Sequence, residues 1–153
     1  MTLVRVNKDN LDEYEEFIKK HPKGLFQHSS KWAKVKSAWK FEAIMLKNDS
    51  GEIKGSAAVL IRSIPIIKNS LMYCCRGFVC DENDFDTFDK LFNGLIELGK
   101  EYKAYCIKID PEIVIQNEAY KKHLIESGFI ELNPGCMDFE NVQPRFVYCF
   151  DYN

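Results

Sequence analysis

Polar and apolar positions along this chain change rhythm several times, and each change marks an element. TLVRV, near the start, alternates as a short strand does. NLDEYEEFIKKHP then places Leu11, Tyr14, Phe17 and Ile18 at helical spacing behind an asparagine suited to an N-cap. HPKGLFQHSS, with Pro22 and Gly24, is a connector, and Ser29 or Ser30 can cap a second helix running on to Trp39. At about 100° per residue, Trp32, Val35, Lys36 and Trp39 would share one stripe of that helix, while Lys31 and Lys34 point into solvent. KFEAIMLKND and EIKGSAAVLIRSIP are β-rich runs joined by DSG, which predicts a hairpin. SLMYCCRGFVC adds a third strand, bent or bulged at Arg76-Gly77. After the acidic DENDFD, the segment FDTFDKLFNGLIELGKEYK is a strongly amphipathic helix. AYCIKIDPE reads as a strand closed by Pro111, NEAYKKHLIESG as a helix ending at Gly128, and FIEL and QPRFVYCFDYN as two further strands. The expected architecture is α/β (α+β): a mixed, mostly antiparallel sheet flanked by helices.

Composition narrows the picture. The 153 residues are 46% hydrophobic and 29% charged, enough for one domain spanning 1–153 with a sizeable core. A net charge of −2 provides no global attraction to nucleic acid, and DNA is not an expected partner. No stretch is long and apolar enough to cross a membrane and the N-terminus lacks the core of a signal peptide, so a cytoplasmic location is expected. The six cysteines show no CxxC pair and no nearby histidine, which argues against structural zinc and for reduced, packed thiols. His21, His28 and His123 form no catalytic pattern with serine or cysteine, although His28 could orient the Ser29 turn.

The element order resembles the GNAT acyltransferase fold. Typical members hold the pyrophosphate of acetyl-CoA on a Q/R-x-x-G-x-G/A loop opening the helix after the meander. Here that place reads CDENDFDTFDK, whose carboxylates would repel a pyrophosphate. Three segments, FQHSSKWAKVKSAW, LMYCCRGFVCD and IKIDPE, with the later GFIELNPGCMDFENVQPRFVYCFDY, resemble the Fem aminoacyltransferases that build peptidoglycan interpeptide bridges. The resemblance covers nearly the whole chain and implies the first of two GNAT-like halves, with the second half beyond it. It also implies an aminoacyl-tRNA donor, a UDP-linked or lipid-linked muramyl-peptide acceptor, and no metal or redox cofactor. A lipid-linked acceptor would bring the chain to a membrane surface, and an open sheet edge would leave room for a homodimer. Without a second half, the chain reads instead as a binding module for a phosphorylated precursor, and an acyl-CoA N-acyltransferase is a further alternative.

The resemblance assigns roles residue by residue. Lys36 matches a family lysine that contacts the precursor's phosphates, with Trp39 in the same wall; the alternative is a lysine whose stem runs past the tryptophans to solvent. Arg76 lies in Tyr73-Cys74-Cys75-Arg76-Gly77-Phe78-Val79, a segment that reads Y-x-x-R-G-P-V in the family, with Phe78 here in place of proline. It would grip a phosphate or carboxylate, or tie down a local acid such as Asp81. Tyr73 would line the same pocket, or serve as a core tyrosine. Asp110 matches a family aspartate beside the acceptor amine, able to orient it or take its proton; the alternative is pairing with Lys108. Tyr105 resembles a substrate-contact residue, but strict alternation puts it on the face opposite Asp110 unless the strand bulges.

Overall fold

The computed structural model describes residues 1–66, 68–114 and 116–132. β1 (Thr2–Arg5) leads to α1 (Leu11–Lys20), a 3-10 turn (Phe26–His28) and α2 (Ser30–Val35). Then come β2 (Lys40–Lys47), β3 (Ile53–Ile64), β4 (Asn69–Cys74), α3 (Phe85–Glu101), β5 (Ala104–Ile109) and α4 (Glu118–Glu126). The strands lie in the order β1-β2-β3-β4-β5, antiparallel up to β4, with β5 parallel to β4. The predicted meander is therefore present, and α3 is the crossover that a parallel pair requires.

Alternation along the strands divides the core in two. Ile44, Leu46, Val59, Ile61, Met72 and Cys74 face α3, meeting Phe88, Leu91 and Leu95. Ala43, Met45 and Ala58 face α1 instead, against Tyr14 and Ile18. At one rim of the α3 side, Glu42 is 8% exposed and accepts from Arg5 Nε at 2.8 Å and from the Tyr102 hydroxyl, with Lys40 at 3.1 Å. Burial opposes its charge, but the bonds from Arg5, Tyr102 and Lys40 outweigh that and hold the carboxyl at about 2. Cys74, Cys75 and Cys80 are buried and Cys106 is exposed; Cys136 and Cys149 lie outside the described residues.

Two expectations need correction. The second helix stops at Val35, a turn short of Trp39: Lys36 leaves helical geometry (φ −88°, ψ 50°) once its N–H has reached the Trp32 carbonyl. Lys40 already pairs with Ile61 in the sheet, so residues 36–39 are spent turning from helix to strand, and Trp39 leaves the shared stripe. FIEL forms no strand: Phe129 packs on Phe92 at 4.5 Å between ring centroids, and Ile130 and Leu132 are exposed. The QPRFVYCFDYN run lies outside the described residues. Among the described residues no helix is long and apolar enough to cross a membrane.

Candidate functional site

The carboxyl ends of β4 and β5 meet side by side, because Cys74 is in register with Ile109. β4 cannot continue past this point. Arg76 and Gly77 both take positive φ (59° and 76°), and the Gly77 N–H closes a turn onto the Cys74 carbonyl at 3.3 Å. A non-glycine residue in the left-handed region costs about 1 kcal/mol or more, so Arg76 needs support. Asp110 supplies it. One carboxylate oxygen accepts the Arg76 backbone N–H at 2.7 Å and the other accepts the Tyr73 hydroxyl at 2.9 Å. Tyr73 and Arg76, read from the sequence as lining one pocket, are thus both joined to Asp110 by direct hydrogen bonds. Asp110 does not pair with Lys108, whose ammonium instead sits 5.9 Å from the centre of the Tyr73 ring. Neither does Arg76 tie down Asp81; its guanidinium has no ion pair among the described residues, and its buried Nε has no partner there.

Two neighbours lock the turn. A Cβ at Gly77 would lie 2.9 Å from the Pro111 Cβ and 3.0 Å from its Cα, so turn and strand end fit only with glycine there. Gly77→Ala is accordingly expected to lower stability by about 1–3 kcal/mol, read from thermal melts. Phe78, replacing the family proline, is 4% exposed and packs 4.7 Å from Phe88. Burial anchors here what a proline ring would stiffen.

Behind the turn lies His28, 1% exposed. Its Nδ1 accepts the Leu25 N–H at 3.0 Å, which leaves the proton on Nε2, and its carbonyl accepts the Tyr14 hydroxyl at 2.6 Å. The Nε2 edge faces the backbone of Cys75 and Gly77 without a hydrogen bond of good geometry. Burial, the largest cause, depresses the imidazole from 6.5 to about 4, against the weaker opposing pull of those carbonyls. The next residues are capped from α1: Glu15 accepts from the Ser29 and Ser30 hydroxyls at 2.7 and 2.6 Å and from the Ser30 N–H at 2.8 Å.

α2 projects from this cap. The Lys36 ammonium lies 5.1 Å from the Trp32 ring centroid and is exposed, a cation resting on an aromatic face. Trp39 carries Arg62 at 5.7 Å, a cation that sequence reading did not single out. Its signal was available: alternation puts Leu60 and Arg62 on the face opposite Val59 and Ile61, which is the face of Tyr73 and Lys108. Tyr105 is 57% exposed. The condition attached to it is met, since Ser70 pairs with Ala104 but Leu71 with Cys106, leaving Tyr105 as the extra residue of a bulge and breaking strict alternation. Lys36 and Trp39 precede the start of β2, and Tyr105 lies near the start of β5, whereas Asp110 follows its end. A cavity of about 330 Å³ beside α1, lined by Glu15, Leu25 and Phe26, contains none of the six.

At the start of α3, Asp84 accepts the Thr87 N–H at 3.0 Å and the Thr87 hydroxyl at 2.7 Å. The helix N-terminus is capped by its own carboxylate where GNAT enzymes place a pyrophosphate.

Comparison with known proteins bears on the family and the fold. A model of the FemAB family matches residues 10–132. The lipid II:glycine glycyltransferase of Staphylococcus epidermidis is 36% identical over 120 residues, covering 76% of this chain and 29% of that protein. The chain thus spans less than a third of that relative's length. The crystal structure of FemX superposes with a TM-score of 0.73 at 30% identity, over 84% of this chain and 32% of that one. A probable acetyltransferase, at 13% identity and a TM-score of 0.64, covers 99% of this chain and 100% of its own; it shares the GNAT fold alone. With the family match running from residue 10 to residue 132, and a relative 36% identical over 76% of its length, this chain belongs to the FemAB family.

Proposed function

We propose that this chain is the acceptor-binding half of a peptidoglycan-bridge aminoacyltransferase, a GNAT-like domain resembling the first of two. The reading rests above all on Asp110, a carboxylate fixed at the carboxyl end of β5 by Tyr73 and the Arg76 N–H in a FemAB chain. Among the described residues each of its oxygens accepts one hydrogen bond, and a carboxylate oxygen has a second lone pair. That capacity suits a group that orients the stem-peptide amine or takes its proton. The amine nitrogen would attack the ester carbon of an aminoacyl-tRNA, the bond to the ribose oxygen would break, and the proton shed by the amine would pass to Asp110 or onward to the leaving oxygen. Lys36, resting on Trp32, and the unpaired Arg76 guanidinium would hold the acceptor's phosphates, with Trp39 and Tyr105 as flanking walls. A relative that acts on lipid II with glycine makes a lipid-linked acceptor and glycine the first substrates to test. The Asp84 cap argues against an acyl-CoA donor.

Calorimetric titration of the chain with soluble UDP-linked muramyl-pentapeptide tests this reading. Saturable binding, weakened about tenfold in Lys36→Ala with an unchanged circular dichroism spectrum, is the expected result. A folded wild-type chain that binds no precursor would overturn its role as the acceptor half.

A further inference from the structure

The charges of this chain are sorted along its strands. Segments 34–41, 61–71 and 102–105 hold six of its 21 Lys and Arg residues and none of its 23 Asp and Glu residues, in a chain of net charge −2; the acids next to them, Glu42 and Glu101, are paired with Arg5. The fold brings the three together. Lys40 is paired with Ile61, Trp39 lies under Arg62, Ile64 closes the β3–β4 hairpin against Asn69, and the Ser70 N–H reaches the Lys103 carbonyl at 3.1 Å. Of these six cations only Lys40 pairs with a carboxylate among the described residues. Lys68 and Lys103 both have positive φ (54° and 51°), each just before one of the parallel strands β4 and β5 that start at this end. Ile66, in the turn that follows β3, is 94% exposed, and Tyr105, on β5, is 57% exposed. A solvated isoleucine adds nothing to phosphate binding, whereas an apolar tip ringed by unpaired lysines and flanked by tyrosine and tryptophan matches the headgroup zone of a bilayer.

We propose that this end of the sheet, the β3–β4 turn together with the α3–β5 turn, docks on an anionic membrane surface, with Ile66 entering the headgroup layer and Lys68 and Lys103 meeting lipid phosphates. The opposite end carries Asp81, Glu82, Asp84, Asp110 and Glu112 and would face away from the bilayer. The six residues of β5 separate the two ends by about 20 Å. The acceptor reading given above places the stem-peptide amine near Asp110, at the end away from the bilayer. The docking itself does not depend on that reading.

Sedimentation of the chain with vesicles of phosphatidylcholine, alone or mixed with phosphatidylglycerol, tests it without any transfer assay. The wild-type chain is expected to pellet with the anionic vesicles at low salt and to be released as ionic strength rises. Lys68→Glu with Lys103→Glu should weaken partitioning by at least about tenfold, and Ile66→Ser by about fivefold. All three side chains are exposed, so the variants should fold, as circular dichroism would verify. No partitioning of the wild-type chain, or equal partitioning of the variants, would overturn the proposal. So would capture of uncharged tRNA through Lys68 and Lys103 with no vesicle binding, which would make this a nucleic-acid face. Vesicle binding without precursor binding would leave the docking standing and remove the acceptor reading.

Discussion

Asp110→Ala is expected to destabilise the chain by about 2–4 kcal/mol, whereas Asp110→Asn should remain within about 1 kcal/mol of wild type. Alanine removes the acceptor of the Arg76 N–H and of the Tyr73 hydroxyl, and it leaves Arg76 in a left-handed conformation without the bond that offsets the cost. Asparagine can still accept the Arg76 N–H through its oxygen and donate its amide to the tyrosine oxygen, so the turn keeps its shape. What asparagine loses is the negative charge. If Asp110 receives the amine's proton, aminoacyl transfer should fall by about 100-fold or more in Asp110→Asn despite its stability. Thermal melts beside a transfer assay with aminoacyl-tRNA and muramyl peptide separate the two effects. Full transfer by the asparagine variant would reduce Asp110 to a brace for the turn.

Acid should loosen the same turn from behind, through His28. The imidazole is held neutral at about 4 in the fold against 6.5 unfolded, so below 6.5 the unfolded chain binds the extra proton more readily. Stability from this group is complete above about pH 6.5 and declines as the pH falls toward 4. The difference corresponds to about 3 kcal/mol. Glu42 behaves separately and lower: its folded value of about 2 against 4.5 unfolded means its contribution is complete above 4.5 and lost on the way to 2. Denaturant melts at steps between pH 7 and 4 should therefore show a slope in the wild-type chain. The slope should flatten in His28→Leu, which keeps the apolar volume but has no proton to gain. An equal slope in that variant would place the acid-sensitive group elsewhere.

Much of this molecule is legible along the chain because period and chemistry coincide there. Tyr14 and Ile18 on α1, or Phe88, Leu91 and Leu95 on α3, announce a buried helical face, and the runs around DSG announce a hairpin. Asp110 was visible for a similar reason, since a carboxylate followed by proline at the end of a strand-like run has few places to go. Lys36 and Trp39 were read onto one helix because local spacing alone cannot reveal that the chain must turn in time for Lys40 to meet Ile61. Arg62 was passed over because it stands inside an otherwise apolar run, and only pairing with β4 shows which face it occupies. For Tyr105 the sequence could state the condition, a bulge, but not whether it held.

What the sequence by itself determined is the set of elements, the two apolar faces and the membership of residues in recognisable segments, all of which depend on neighbours within a few positions. The tertiary structure alone decided that Tyr73, Arg76 and Asp110 share hydrogen bonds, that His28 is sealed behind their turn, and that unpaired cations gather at one end of the sheet. Those arrangements depend on the register between strands and on backbone turns with positive φ. Both are set by long-range packing, in which a residue at 110 is the neighbour of one at 76.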